Sequence, residues 1–360
     1  MKQTYNFSAG PSILPRSVLE IAQHELLNFK NSGISVLEMS HRSSLYENIH
    51  NQAQTYLRKL LNLKEDQAIL FIQGGASLQF SMIPMNLAHS KKAYYVDGGT
   101  WGRRAFEEAQ LILGDNAVLL ASSKASNYTK LPEIPEVPSD GAYLHITTNN
   151  TIEGTAIKSL PKCDIPLVAD MSSNIFSVDY DYNQFDVIYA GAQKNLGPAG
   201  VTVVIIKKPL LKTIQHALPS MLDYRIYEKN NSMFNTPPTF SIYLLKEVLA
   251  WIDNLGGVKE MAAQAQYKSQ LLYDTLDQST LFKTPVCKAD RSVNNIPFYT
   301  DSDTLNDLFL KEAEAQGLIN LKGHRLVGGM RASIYNAMPI KGVEALCHFI
   351  KQFEKEHQNV

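Results

Sequence analysis

Cysteine is scarce in this sequence, and long apolar runs are missing. Three cysteines in 360 residues (Cys163, Cys287 and Cys347) are an odd number with no CxxC pairing, which excludes a disulfide framework and a cysteine-based zinc site. The longest β-like apolar run, Val201 to Ile206, is far too short to cross a bilayer. The opening stretch "MKQTYNFSAGPSILP" has no apolar core of the signal-peptide kind, so a soluble, cytoplasmic protein is expected. Charge of one sign is also in short supply: the formal net charge is −1 and no extended block of like charge occurs. Nucleic-acid arms and polybasic membrane patches are thereby excluded, and any anionic ligand must be held by a local cluster. Neither a Walker A loop nor a GxGxxG fingerprint is present, so a nucleotide has no claim over any other phosphate.

What is present is enough apolar material, 44% of the chain, for a large core and a second, smaller domain. The spacing of Val18, Ala22, Leu26 and Phe29, opened by Pro15 and closed by Gly33, predicts a first amphipathic helix; Ile49, Ala53, Tyr56 and Leu60 predict a second. Short apolar strands follow at "AILFI" (68–72), "AYYVDG" (93–98), "AYLHIT" (142–147), "PLVAD" (166–170), "DVIYA" (186–190) and "VTVVII" (201–206), with helical segments after the first two. This alternation predicts an α/β fold with a mostly parallel sheet, whose ligands bind beyond the carboxyl ends of the strands. "LPEIPEVPSDG" (131–141) reads as a surface loop. A helix from Pro237 to Asn254 stops before Gly256–Gly257, where the large domain is expected to end. A helix to about Gln278, strands at "NNIPFYT" and "GMRASIY", a helix near 303–316 and a last helix through Val343, Leu346, Ile350 and Phe353 then make a small α+β domain.

The chemistry is expected at the polar strand ends. "YAGAQKNLGPAG" places Lys194 between glycines and small residues, just ahead of a buried strand. A lone loop lysine is ordinarily solvated, but lysine becomes a catalyst where its environment lowers its pKa or where it holds an aldehyde cofactor as a Schiff base. Asp170 ends "PLVAD"; alone it could merely cap the "SSN" turn, yet an acid so placed is what pyridoxal 5'-phosphate (PLP) needs opposite its ring nitrogen. "QGGAS" (73–77), between strand and helix, offers backbone N–H groups to a phosphate, and Trp101 after "DGGT" could stack on a flat ring or simply fill core.

Taken together these residues resemble the fold-type I, PLP-dependent enzymes of the class V aminotransferase family, and in more detail the phosphoserine aminotransferases. The resemblance spans nearly the whole chain, through "NFSAGPSILP", "EMSHRS", "GGASLQF", "GGTWG", "NNTIEGT", "ADMSSN", "AGAQKNLGPAG", "NTPPTFSIY" and "GHRLVGGMRASIYNA". It implies a large domain (16–255) with a mostly parallel seven-stranded sheet, a small C-terminal domain (256–360), and a segment (1–15) joining the small one. It implies that Lys194 binds PLP covalently, that Asp170 pairs with the pyridine nitrogen, that Trp101 stacks on the ring and that Thr151 hydrogen-bonds its phenolic oxygen. Ala76, Ser77 and Gln193 would hold the cofactor phosphate, with Asn235 and Thr236 reaching in from the second subunit of a homodimer. Some members have an arginine where this chain has Ser77, which leaves more of the anion recognition to other cations.

Two His-Arg motifs bear on the substrate. "SHRSS" holds His41 and Arg42, and "GHRLVGGMR" holds His324, Arg325 and Arg331. One guanidinium would serve any amino acid, whereas several argue for a second anionic group. By the resemblance, Arg331 takes the α-carboxylate and His41, Arg42, His324 and Arg325 bind the distal phosphate of O-phospho-L-serine or the side-chain carboxylate of L-glutamate. The implied reaction is a reversible ping-pong transamination between L-glutamate and 3-phosphohydroxypyruvate in serine biosynthesis, with 4-phosphohydroxy-L-threonine of vitamin B6 synthesis as a second product to test. An alanine–glyoxylate-type transaminase would not need two His-Arg pairs. A cysteine desulfurase would need a reactive thiol, for which Cys287 is the sole candidate. A nucleotide-binding regulator would need the fingerprint that is missing, and a purely structural role would leave the Lys194, Asp170 and Trp101 grouping without a reason.

Overall fold

The computed structural model describes residues 3–357. Its strands, in chain order, are β1 (Tyr5–Asn6), β2 (Gln67–Gln73), β3 (Lys92–Asp97), β4 (Ala117–Ser122), β5 (Gly141–Thr147), β6 (Leu167–Asp170), β7 (Val187–Gly191), β8 (Val201–Lys207), β9 (Asn295–Phe298), β10 (Leu318–Ile319) and β11 (Met330–Ser333). Seven of them form one sheet in the order β2-β8-β7-β6-β5-β3-β4. All its pairings are parallel except those of β8, which runs antiparallel to both β2 and β7. Because β8 runs backwards, its first residues lie beside the carboxyl ends of its neighbours: Val201 pairs with Gln73, and Thr202 with Gly191. One edge of the sheet therefore gathers the ends of six strands and the start of the seventh.

The strands are almost continuously apolar because both faces are covered. Ile69, Phe71, Ile188 and Ile205 face one core, packed by helices Ser44–Leu60 and Thr239–Asn254. Their neighbours Leu70, Ile72, Val187 and Val204 face the other, packed by helices Ser77–Ile83, Thr100–Leu113 and Tyr224–Lys229. A third cluster, rich in phenylalanines that meet edge to face, such as Phe282, Phe309 and Phe353, is built from the C-terminal elements. Phe7 belongs to it, and β1 pairs with β10, so the N-terminal segment lies against the C-terminal part of the chain. The long helix Gly257–Gln278 serves two cores, placing Val258 and Met261 in the first and Leu272 and Leu276 in the third.

Two local readings change. The first helix stops at Glu25 rather than continuing through Phe29, because Asn28 is extended and Lys30 and Asn31 take positive φ; Leu26 is left exposed while Phe29 turns back into the core. The edge strand β4 has no counterpart in the sequence reading. It does carry an unbroken apolar run, Ala117 to Ala121, of the same kind as the central strands, although its edge position leaves most of its residues only half-buried.

Candidate active site

The gathered strand ends hold the expected groups. Asp170 closes β6, Lys194 lies in the turn after β7, Gly75 to Ser77 follow β2, and Trp101 opens the helix after β3. These residues, with Thr147, Thr151 and Gln193, line one cavity of about 110 Å³. Close backbone approach explains Gly191: a Cβ there would meet Gln193 Oε1 at 2.7 Å and Ala76 Cβ at 3.3 Å. Larger cavities among the described residues are lined by residues other than Lys194.

The lysine amine is poised. Lys194 Nζ donates to Thr151 Oγ1 at 2.7 Å and stands 6.0 Å from the centre of the Trp101 ring. Burial, with help from the Arg331 charge, brings its pKa down to about 8, while Asp170 pulls the other way. Burial likewise pushes the Asp170 carboxyl up, opposed by the Lys194 charge and by hydrogen bonds from Ser172 and from Tyr189, its neighbour on β7. The Ser172 amide bonds Asp170 Oδ1 at 2.9 Å, so the local turn and the facing lysine share one carboxylate.

The lysine turn is braced from several sides. Ser12 donates its amide to Gln193 O at 2.9 Å and its hydroxyl to Lys194 O at 2.6 Å, which gives "SAGPS" a structural reason. Asn195 Oδ1 accepts from the Asn336 amide at 3.0 Å, while its Nδ2 bonds Ile175 O and Ser177 Oγ. Asn336 lies in a segment whose carbonyls at Tyr335 and Met338 accept from the buried Lys268 Nζ at 2.8 and 2.9 Å. Arg331 on β11 reaches the same place, its Nη1 donating to Thr151 O at 3.2 Å.

The remaining expected residues are less tightly gathered. His324 lies near Arg331, Arg325 and Arg104, and burial and then these three charges hold its imidazole below the usual range. Arg325 and Arg42 are exposed and His41 half-buried. No hydrogen bond or ion pair joins His41 or Arg42 to the Lys194 cluster within the chain, among the described residues. Asn235 and Thr236 are exposed and outside the cavity, with Asn235 Nδ2 bonding Gln73 Oε1 at 3.3 Å. Sequence reasoning missed Arg104, whose guanidinium lies 5.1 Å from the Trp101 ring centre; its position three residues on along one helix was the available signal. It also missed Glu153, which accepts from both the amide and the hydroxyl of Thr100.

The residues fit PLP. Trp101 Nε1 and Thr147 Oγ1 are buried beside the cavity without a protein partner, the lysine amine is depressed, and an acid stands opposite. A reactive thiol is not part of the arrangement: burial and the Asp290 hydrogen bond push the Cys287 thiol up, away from the thiolate form that a desulfurase requires.

Comparison with known proteins gives the same answer. The family model for Aminotransferase class-V matches residues 4–346. A phosphoserine aminotransferase of Listeria monocytogenes is 54% identical over 353 residues, covering 98% of this chain and 97% of its own. The solved phosphoserine aminotransferase from Bacillus circulans subsp. alkalophilus superposes with a TM-score of 0.95 at 47% identity, over 98% of this chain and 99% of that one. The PLP-bound phosphoserine aminotransferase from Trichomonas vaginalis gives 0.93 at 38% identity, over 97% and 100%. A poised lysine, an acid and an indole at the strand ends, in a chain matched from end to end, carry one conclusion: this chain belongs to the class-V aminotransferase family.

Proposed function

We propose that the protein is a PLP-dependent phosphoserine transaminase, moving the amino group of L-glutamate to 3-phosphohydroxypyruvate to give 2-oxoglutarate and O-phospho-L-serine. The observation that carries this reading is the depressed, buried Lys194 amine set among Asp170, Trp101 and Thr151. When bound, PLP supplies an aldehyde that carries the amino group and a protonated ring that takes up the electron pair left at substrate Cα. Lys194 Nζ would carry the proton at substrate Cα: burial lowers the pKa of the free amine to about 8, which gives it a ready neutral fraction near neutral pH. Asp170 would keep a proton on the ring nitrogen, Trp101 would orient the ring, and Thr151 would bond its phenolic oxygen. Ala76, Ser77 and Gln193 would hold the phosphate.

Arg331 anchors the α-carboxylate common to both substrates, which leaves His324 and Arg325, with His41 and Arg42, for the distal phosphate or carboxylate. The reading requires a homodimer, in which Asn235 and Thr236 complete the phosphate cup of the other subunit. Their exposure, and that of neighbouring Phe234 and of Leu27 and Leu37, supports it. It divides the chain at 15/16 and 255/256, supported by the β1–β10 pairing and the separate phenylalanine cluster, and it places the enzyme in the cytoplasm, in serine biosynthesis.

The test is the visible spectrum of the purified protein. A yellow form should be bleached by L-glutamate and restored, after glutamate is removed, by 3-phosphohydroxypyruvate but not by glyoxylate. A protein that stays colourless with PLP supplied overturns the cofactor site; one restored by glyoxylate alone overturns the substrate.

A further inference from the structure

The helix that presents Trp101 begins without a local cap. Gly99 precedes it and has no side chain to offer, yet the first N–H groups of a helix need acceptors and its positive end favours an anion. The acceptor comes from far along the chain. Glu153 Oε1 takes hydrogen bonds from the Thr100 amide, at 2.8 Å, and from Thr100 Oγ1, at 2.5 Å. Glycine is needed at position 99 for this reach: a Cβ there would lie 2.7 Å from Glu153 Oε2.

Glu153 is itself tied to the rest of the site. It lies in the folded-back loop that carries Thr151, closed by Asn150 N to Thr155 O and by Gly154 N to Asn150 O, both at 2.8 Å. Gly154 seats that loop against the C-terminal elements, where any Cβ would strike Pro297 Cδ at 2.3 Å. Thr151 in turn receives Lys194 Nζ on its hydroxyl and Arg331 on its carbonyl. One buried carboxylate thus connects the element carrying the indole to the element that meets both the reactive lysine and the carboxylate anchor. Its second oxygen, Oε2, is buried with no protein partner, so the side chain has been taken out of water for the sake of the Thr100 contact.

We propose that Glu153 is a positioning residue of the transaminase site: by capping the Trp101 helix from the Thr151 loop, it sets the indole at the height and angle at which it covers the cofactor ring. The inference rests on the PLP reading above. Glu153 is not among the residues that line the cavity, and it would act through Trp101.

A double-mutant cycle on the full-length protein tests this, with PLP affinity read from the cofactor's visible band and ring orientation from its induced circular dichroism. Glu153→Ala should weaken PLP binding roughly tenfold, as the loss of a helix-cap acceptor implies, and should diminish the induced dichroism. Glu153→Gln, which keeps the Oε1 acceptor, should recover most of both. In a Trp101→Ala background, Glu153→Ala should have almost no further effect. Equal losses in both backgrounds, or an Ala variant with parental affinity and dichroism, would overturn the proposal. Should the Ala variant fail to fold, Glu153→Asp, whose shorter stem cannot span the gap, takes its place in the cycle, and the same two outcomes decide. A parent protein that binds no PLP would instead sink the cofactor reading, which keeps the two failures apart.

Discussion

The two halves of the active site are built on opposite principles. Around the cofactor pocket every element is fastened: Lys194 to Thr151, the lysine turn to Ser12 and Asn336, the Thr151 loop to Thr100 and Arg331. On the side expected to meet the substrate's second anion, Arg42 and Arg325 are exposed, and neither has a carboxylate partner among the described ion pairs. The difference follows from what each side must do. A resident cofactor rewards rigid, desolvated placement of groups whose pKa values are set by burial. Two substrates that differ in their distal group, one a phosphate and one a carboxylate, need mobile cations that water can hydrate between turnovers.

Substitutions should separate the halves, and the largest effect belongs to the fastened one. Lys194→Ala should lower kcat on the order of 10⁴-fold, since the proton at substrate Cα loses its carrier. The same residue predicts a pH effect on the cofactor-free protein. The folded amine titrates near 8, well below the ordinary 10.5, so between these values the unfolded chain binds a proton that the folded one does not. Stability therefore rises with pH across that window. Relative to Lys194→Met, the parent should gain about 3 kcal/mol between its lower and upper ends, read by denaturant titration at each pH. A flat difference would mean that the amine is charged when buried. Arg331→Lys should raise KM for both glutamate and the phosphorylated keto acid about 100-fold, because the forked contact with the shared α-carboxylate is lost.

This division also decided what could be read in the sequence. Lys194, Asp170 and Trp101 were legible because each ends or follows a short apolar strand, and the fold puts such ends on one edge. Their supports were not. Glu153 sits in a loop and acts across 53 positions of sequence, and Asn336 reaches Asn195 across 141, so no local period announces either. The strand β4 was legible by the same rule as the central strands, since Ala117 to Ala121 is an unbroken apolar run; its place at the sheet edge leaves it only half-buried. The end of the first helix was set by positive φ at Lys30 and Asn31, residue types that give only a weak warning of it.

A smaller effect tests how far the fastening extends. Lys268 is buried on the long helix Gly257–Gln278 and satisfies the carbonyls of Tyr335 and Met338, in the segment that holds Asn195. Lys268→Met should cost about 2 kcal/mol, seen as a lower denaturation midpoint, because Met338 O would lose its Lys268 donor while Tyr335 O would keep only the Met338 amide. PLP affinity should fall with it. An unchanged affinity would show that the lysine turn is held well enough by Ser12, Ile175 and Ser177.

The least disruptive changes should be those on the open side. Arg325→Ala and Arg42→Ala each remove an exposed charge that no folded-state carboxylate requires, so thermal stability should stay within about 0.5 kcal/mol of the parent. Their effect should appear in KM for 3-phosphohydroxypyruvate, raised about tenfold, with a weaker rise for glutamate, whose distal group carries less charge. Because the contact is made in water, raising the ionic strength of the parent should mimic the substitution in part, and the salt dependence should be shallower in the variants. The same salt should leave PLP binding nearly untouched, since Lys194 and Asp170 are screened from solvent by burial. If salt and the two alanine variants altered cofactor affinity as much as substrate affinity, the cations would belong to the fastened half, and the contrast between a fixed pocket and a yielding rim would be lost.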